Sequence, residues 1–146
     1  MDPKNIKMRV VYSSNKPKMA TFATAVGEAF KCQVDAVPPA FPCDKERIVV
    51  LLMNASKDPD DALKRFCREL NGQRAYNVCI VADGDKDSVP VKKVKEALRE
   101  AGTNVIEDVY SVNGGSAGLL GMFNKKISLD ERRDIVKWVT STIEAL

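Results

Sequence analysis

Three short polar segments carry the residue types that do chemistry, and each follows a strand-like run. The first, Ser13-Ser14-Asn15-Lys16-Pro17-Lys18, places two hydroxyls, an amide and two lysines just before a helix-like pattern. Hydroxyls, unpaired backbone N–H groups, the positive end of a helix and ammonium groups together suit a phosphate. The same residues also suit a plain strand-to-helix turn in which Ser or Asn caps the helix, and Pro17 removes one N–H donor. The second segment, Asn54-Ala55-Ser56-Lys57-Asp58, offers polar groups but no aromatic ring. Its first three residues also spell a glycosylation pattern, irrelevant in a cytosolic chain. In the third, Asp83-Gly84-Asp85-Lys86-Asp87-Ser88, aspartates alternate with other residues. Alternating carboxylates invite an oxygen-ligated cation, but the glycine and later glutamate of a calcium loop are missing, so a solvated turn is preferred.

Other chemistry is excluded by composition. The chain has no histidine, which removes Ser-His-Asp and Cys-His catalysis and every histidine-ligated metal. Cys32, Cys43, Cys67 and Cys79 form no Cys-x-x-Cys pair, so neither a zinc knuckle nor a thioredoxin-type motif is available. They read as ordinary reduced thiols. Residues 114–118 match G-x-S-x-G, but the chain has no histidine to act as the base of a nucleophile serine. Around that match, Leu119, Leu120, Met122 and Phe123 lie in a Gly-rich stretch, residues 113–123. It reads either as an apolar flap offered to a partner protein or as side chains folded back onto the sheet edge. A net charge of +3 is too slight for a nucleic-acid footprint.

The elements that must position these segments alternate along the chain. Residues 6–12 read as a strand and residues 19–31 as a helix, with Met19, Phe22, Ala23, Val26 and Phe30 at helical spacing. Residues 32–37 alternate as a half-buried strand, followed by a proline-rich loop with at most one helical turn. Residues 47–53, RIVVLLM, have the unbroken apolar character of a strand covered on both faces. Asp58-Pro59 reads as an N-cap with proline at the first helical position, opening a helix that runs to Gly72. Residues 76–82 form a fourth strand, and Ser88 with Pro90 opens a helix ending at Gly102. Residues 105–112 form a weaker fifth strand. Ser128 and Glu131 make a capping box for the last helix.

This order predicts an α/β domain with a parallel sheet and helices on both faces, its strands in the order 2-1-3-4-5. The 146 residues, 45% hydrophobic, suit a single domain over residues 1–146. No apolar run approaches the ~20 residues of a membrane span, and the first residues show no secretory pattern, so a cytoplasmic, membrane-free protein is expected. In such sheets ligands sit beyond the C-terminal strand ends where strand order reverses, which is where the three polar segments fall.

On these residues the chain resembles the flavodoxin-like family. MRVVYSSNKPKMATFATAVGEAF is similar to that family's opening strand, phosphate loop and first helix. RIVVLLMNASKDPDDALKRFCRELNGQRAYNVCIVADGD is similar to its third strand, cofactor-edge loop, helix and fourth strand. The resemblance implies an FMN-binding electron-transfer protein with a redox partner. It implies that Ser13, Ser14, Asn15, Lys16 and Lys18 hold the phosphate, while Asn54, Ala55, Ser56, Lys57, Asp83, Gly84 and Asp85 frame the ring. The chain departs from the family where Pro17, Lys18 and Met19 replace the glycine and later polar positions of S/T-x-T-G-x-T. It also lacks ring-stacking aromatics in the second and third loops, and it is slightly basic where electron-donating flavodoxins are commonly acidic. A phosphoacceptor receiver, a Cys-x5-Arg phosphatase, a GxGxxG dinucleotide site and a P-loop each lack their defining residues here. The alternative is a flavin-free binding module on the same scaffold, with a partner docked on residues 119–123 or two copies paired through them.

Overall fold

The computed structural model describes residues 5–112 and 126–146. The Gly-rich stretch with Leu119, Leu120, Met122 and Phe123 therefore lies outside the described residues. Among the described residues, nine elements follow in chain order: β1 (Met8–Ser13), α1 (Pro17–Phe30), β2 (Gln33–Ala36), β3 (Ile48–Asn54), α2 (Asp61–Glu69), β4 (Asn77–Asp83), α3 (Val89–Ala101), β5 (Asn104–Val112) and α4 (Leu129–Glu144).

The five strands pair in parallel in the order β2-β1-β3-β4-β5. Because side chains alternate along a strand, the central strands supply two cores. Val11, Leu51 and Ile80 face Leu63, Phe66 and Cys67 of α2 and Val91, Val94 and Leu98 of α3. Val10, Leu52 and Val81 face Met19, Phe22 and Val26 of α1 and Ile135, Val139 and Ile143 of α4. The residues Ile48 to Met53 are all fully buried, as an apolar run without alternation requires.

Local chemistry starts and stops the helices. Pro17 takes the first position of α1, where an N–H would have no intrahelical partner, so the proline ring is tolerated there. Ser88 caps α3, and Gly102 ends it in the left-handed region at φ +107°. The capping box of α4 is present in full: Glu131 N–H donates to Ser128 Oγ, and Ser128 N–H donates to Glu131 Oε1, both at 3.0 Å.

The start of α2 differs from the expectation. Asp60, not Asp58, is its N-cap and accepts the N–H of Leu63 at 2.8 Å. Asp58 instead pairs with Lys93 on α3 at 3.0 Å, and Pro59 is buried ahead of the helix. The helix also ends at Glu69, before Gly72. All five strands point the same way, so Ser13, Ala36, Asn54, Asp83 and Val112 end along one edge of the sheet.

Candidate functional site

The first loop leaves β1 at Ser13 and enters α1 through Lys16, whose backbone is extended at φ −85° and ψ 122°. No side chain caps α1. Ser14 Oγ instead accepts the Lys16 N–H at 3.1 Å and closes a short turn. Among the described residues, the Ser13 hydroxyl, the Asn15 side-chain amide and the backbone N–H groups of Asn15 and Lys18 have no hydrogen-bond partner. Unspent donors at the positive end of a fourteen-residue helix form an anion-seeking surface.

Both lysines of the loop already face carboxylates. Lys16 Nζ reaches over the end of β3 to Asp83 at the end of β4, at 2.8 Å, and the Asp83 side chain is 2% exposed. Lys18 Nζ lies 3.2 Å from Glu131 in the first turn of α4. The Glu131 carboxyl is held below its ordinary value, first by the Ser128 N–H and then by Lys18.

The other two loops are knit together behind this edge. Asn54 Oδ1 accepts both the N–H and the hydroxyl of Ser56, at 2.9 and 2.8 Å. Ala55 is buried and donates its N–H to the Asp83 carbonyl at 3.1 Å. Gly84 turns at φ +119°, where an added Cβ would stand 3.4 Å from that of Ala55. Its N–H donates to Val112 at 3.0 Å, and its carbonyl accepts the Ser111 hydroxyl. Asp85 Oδ1 accepts the Asp87 N–H at 2.9 Å. The three aspartates thus serve an ion pair and a turn, and among the described residues no group of acidic, cysteine or histidine side chains is set to hold a metal.

A groove of about 340 Å³ opens beside the first loop. Five of the expected residues line it: Ser13, Ser14, Asn15, Asn54 and Lys57. Lys16, Lys18, Ala55, Ser56, Asp83, Gly84 and Asp85 do not. The remaining wall comes from Tyr12, from Ala36 at the end of β2 and Val37 after it, and from Asp58, Pro59, Asp60 and Leu63 at the start of α2. The order 2-1-3 carried that signal, because it puts the end of β2 against β1, and Tyr12 is in register with Ala36.

These residues fit the phosphate end of a mononucleotide better than a stacked ring. The unspent donors of the first loop suit a phosphomonoester. Among the described residues, the groove's single aromatic lining residue is Tyr12, on β1 rather than on the second or third loop.

No protein-family model matches the chain, and no curated protein matches it in sequence. Solved structures do. Oxidised flavodoxin 2 from Bacillus cereus superposes with a TM-score of 0.63 at 12% identity, over 96% of this chain and 99% of that one. A flavodoxin-like domain from Synechococcus gives a TM-score of 0.49 at 14% identity, over 92% of this chain and 99% of that one. A diflavin flavoprotein A3 from Nostoc gives 0.46 at 17% identity, over 95% and 97%. Strand order, the helices on both faces and the Bacillus superposition agree on the architecture: this chain has a flavodoxin-like fold.

Proposed function

We propose that the chain binds FMN with reduced affinity in the groove beside the first loop and takes part in electron transfer with a partner protein. The observation that carries this reading is the coincidence of that groove with unspent anion donors at the start of α1, on a fold superposable along nearly its whole length with a flavodoxin. Ser13, Ser14 and Asn15 would receive the phosphate. Asn54 and Lys57 would bound the ring side, with Tyr12 against it. The bound flavin supplies the electron chemistry, and the chain orients it and excludes water from one side.

The reduced affinity follows from the same loop. Pro17 contributes no N–H, and Lys16 and Lys18 are engaged by Asp83 and Glu131. Those two ion pairs also favour the second reading, a flavin-free binding module. The visible spectrum of the purified protein, followed by FMN titration, decides between them. Flavin bands or saturable FMN uptake, weakened by Ser14→Ala, support the first. A colourless protein indifferent to millimolar FMN leaves the second.

A further inference from the structure

We propose that Asp83 sets the phosphate affinity of this groove by holding Lys16 away from it. The inference rests on the FMN reading above and deepens it. Lys16 is the N-cap of α1, one residue from the groove-lining Asn15, yet its ammonium is directed across β3 to a carboxylate that is almost fully buried. Asp83 is fixed from both sides: its carbonyl accepts the Ala55 N–H at 3.1 Å, and the next residue, Gly84, is bound to Val112 at 3.0 Å. The backbone that carries the carboxylate is therefore anchored at the end of β4. An incoming phosphate must either leave Lys16 where it is or break its ion pair with a buried aspartate, which opposes the move. While that pair holds, the Lys16 ammonium is withheld from the phosphate.

The consequence is specific to the charged end of the ligand. FMN and riboflavin share the ring and differ in the phosphate, so the ratio of their affinities isolates the effect. Asp83→Asn removes the charge, keeps the shape and releases Lys16. FMN binding should tighten by about tenfold, as expected when one more ammonium is free to turn to the phosphate in a partly screened site. Riboflavin binding should move far less. Asp83→Ser, smaller and uncharged, should act in the same direction and serves if the asparagine is not accommodated. In either background, adding Lys16→Gln should abolish the gain.

Isothermal titration of each variant with FMN and with riboflavin decides. A raised FMN-to-riboflavin affinity ratio that depends on Lys16 upholds the proposal. An unchanged ratio, or equal shifts for both ligands, overturns it and leaves FMN binding by the natural chain standing. FMN uptake by the Asp83 variants but not by the natural chain upholds the proposal and removes the FMN reading. Uptake by none of them overturns both.

Discussion

At the scale of single residues, charge state is set by burial and by a few fixed partners. Burial pushes the Cys67 and Cys79 thiols up to about 12. Burial, followed in Cys32 by the nearby Glu46 charge, pushes Cys32 and Cys43 to about 11. A thiol must ionise to attack, so native protein at pH 8 should react slowly with iodoacetamide, Cys32 first because it alone is partly exposed. Counting thiols before and after denaturation checks this, and rapid native alkylation of Cys67 or Cys79 would contradict the burial. The sign of the linkage also follows. A thiol whose folded value is raised contributes stability that is complete below the unfolded value, 9.0, and is lost as pH rises toward 11 and 12. The urea midpoint should therefore fall above pH 9. Glu131 works oppositely: its lowered value gives stability present above 4.5 and lost as the pH falls through the folded value. Ser128→Ala, which removes the cap acceptor beside it, should destabilise the protein by about 1 kcal/mol, read by urea titration. The capping box is legible in sequence because its partners lie within one turn. The Lys18–Glu131 and Lys16–Asp83 pairs are not, since only the closed sheet brings those residues together. The same holds for Arg9, a charge inside an apolar strand, which lies 3.6 Å from the buried Glu46.

At the scale of elements, α1 and β2 meet through a glycine. A Cβ on Gly27 would stand 2.2 Å from Val34 Cγ2 and 3.3 Å from the Cys32 carbonyl oxygen. In an isolated helix Gly→Ala is favourable by about 1 kcal/mol, but here the methyl group must displace a β-branched side chain on the edge strand. Gly27→Ala should therefore destabilise the protein by about 1–3 kcal/mol, and trimming the neighbour in Gly27→Ala/Val34→Ala should recover part of that loss. A single substitution that stabilises would show that β2 yields freely. Strand β3 was legible from its unbroken apolar run, and the starts of α3 and α4 from caps that act within a few residues. The start of α2 was displaced because Asp58 and Asp60 are both competent caps. Tertiary contacts chose between them, since Asp58 is taken by Lys93 and starting at Asp60 turns Leu63, Phe66 and Cys67 inward. Of the candidate site, the first loop and Asn54 were legible because strand ends locate them. The wall from Ala36, Val37 and Leu63 was not, because it depends on how closely β2 and α2 flank that end.

At the scale of the molecule, the two cores are separated by a single layer of sheet, and the strands belong equally to both. Leu51 and Leu52 are adjacent in β3, each fully buried, one in each core. Truncating either should cost about 2–5 kcal/mol, the transfer free energy of the lost carbons plus the cavity left behind. The more informative quantity is which signals move. Trp138 packs against Tyr110 with ring centroids 5.4 Å apart and the planes tilted by 38°, and both pack against the α1–α4 core, the one that contains Leu52. If the faces were independent, Leu51→Ala would lower the helical signal of α2 and α3 and leave the Trp138 transition in place. The topology argues otherwise. Removing the α2–α3 face would expose Val11, Leu51 and Ile80 on strands whose alternate residues still anchor α1 and α4, and a sheet bare on one face has lost half its apolar burial. Leu51→Ala and Leu52→Ala should therefore shift far-UV circular dichroism and Trp138 fluorescence by the same amount, as one cooperative transition. A fluorescence midpoint unmoved by Leu51→Ala would mean that the α1–α4 layer, which carries the N-terminal end of α1 beside the groove, holds together without its opposite face.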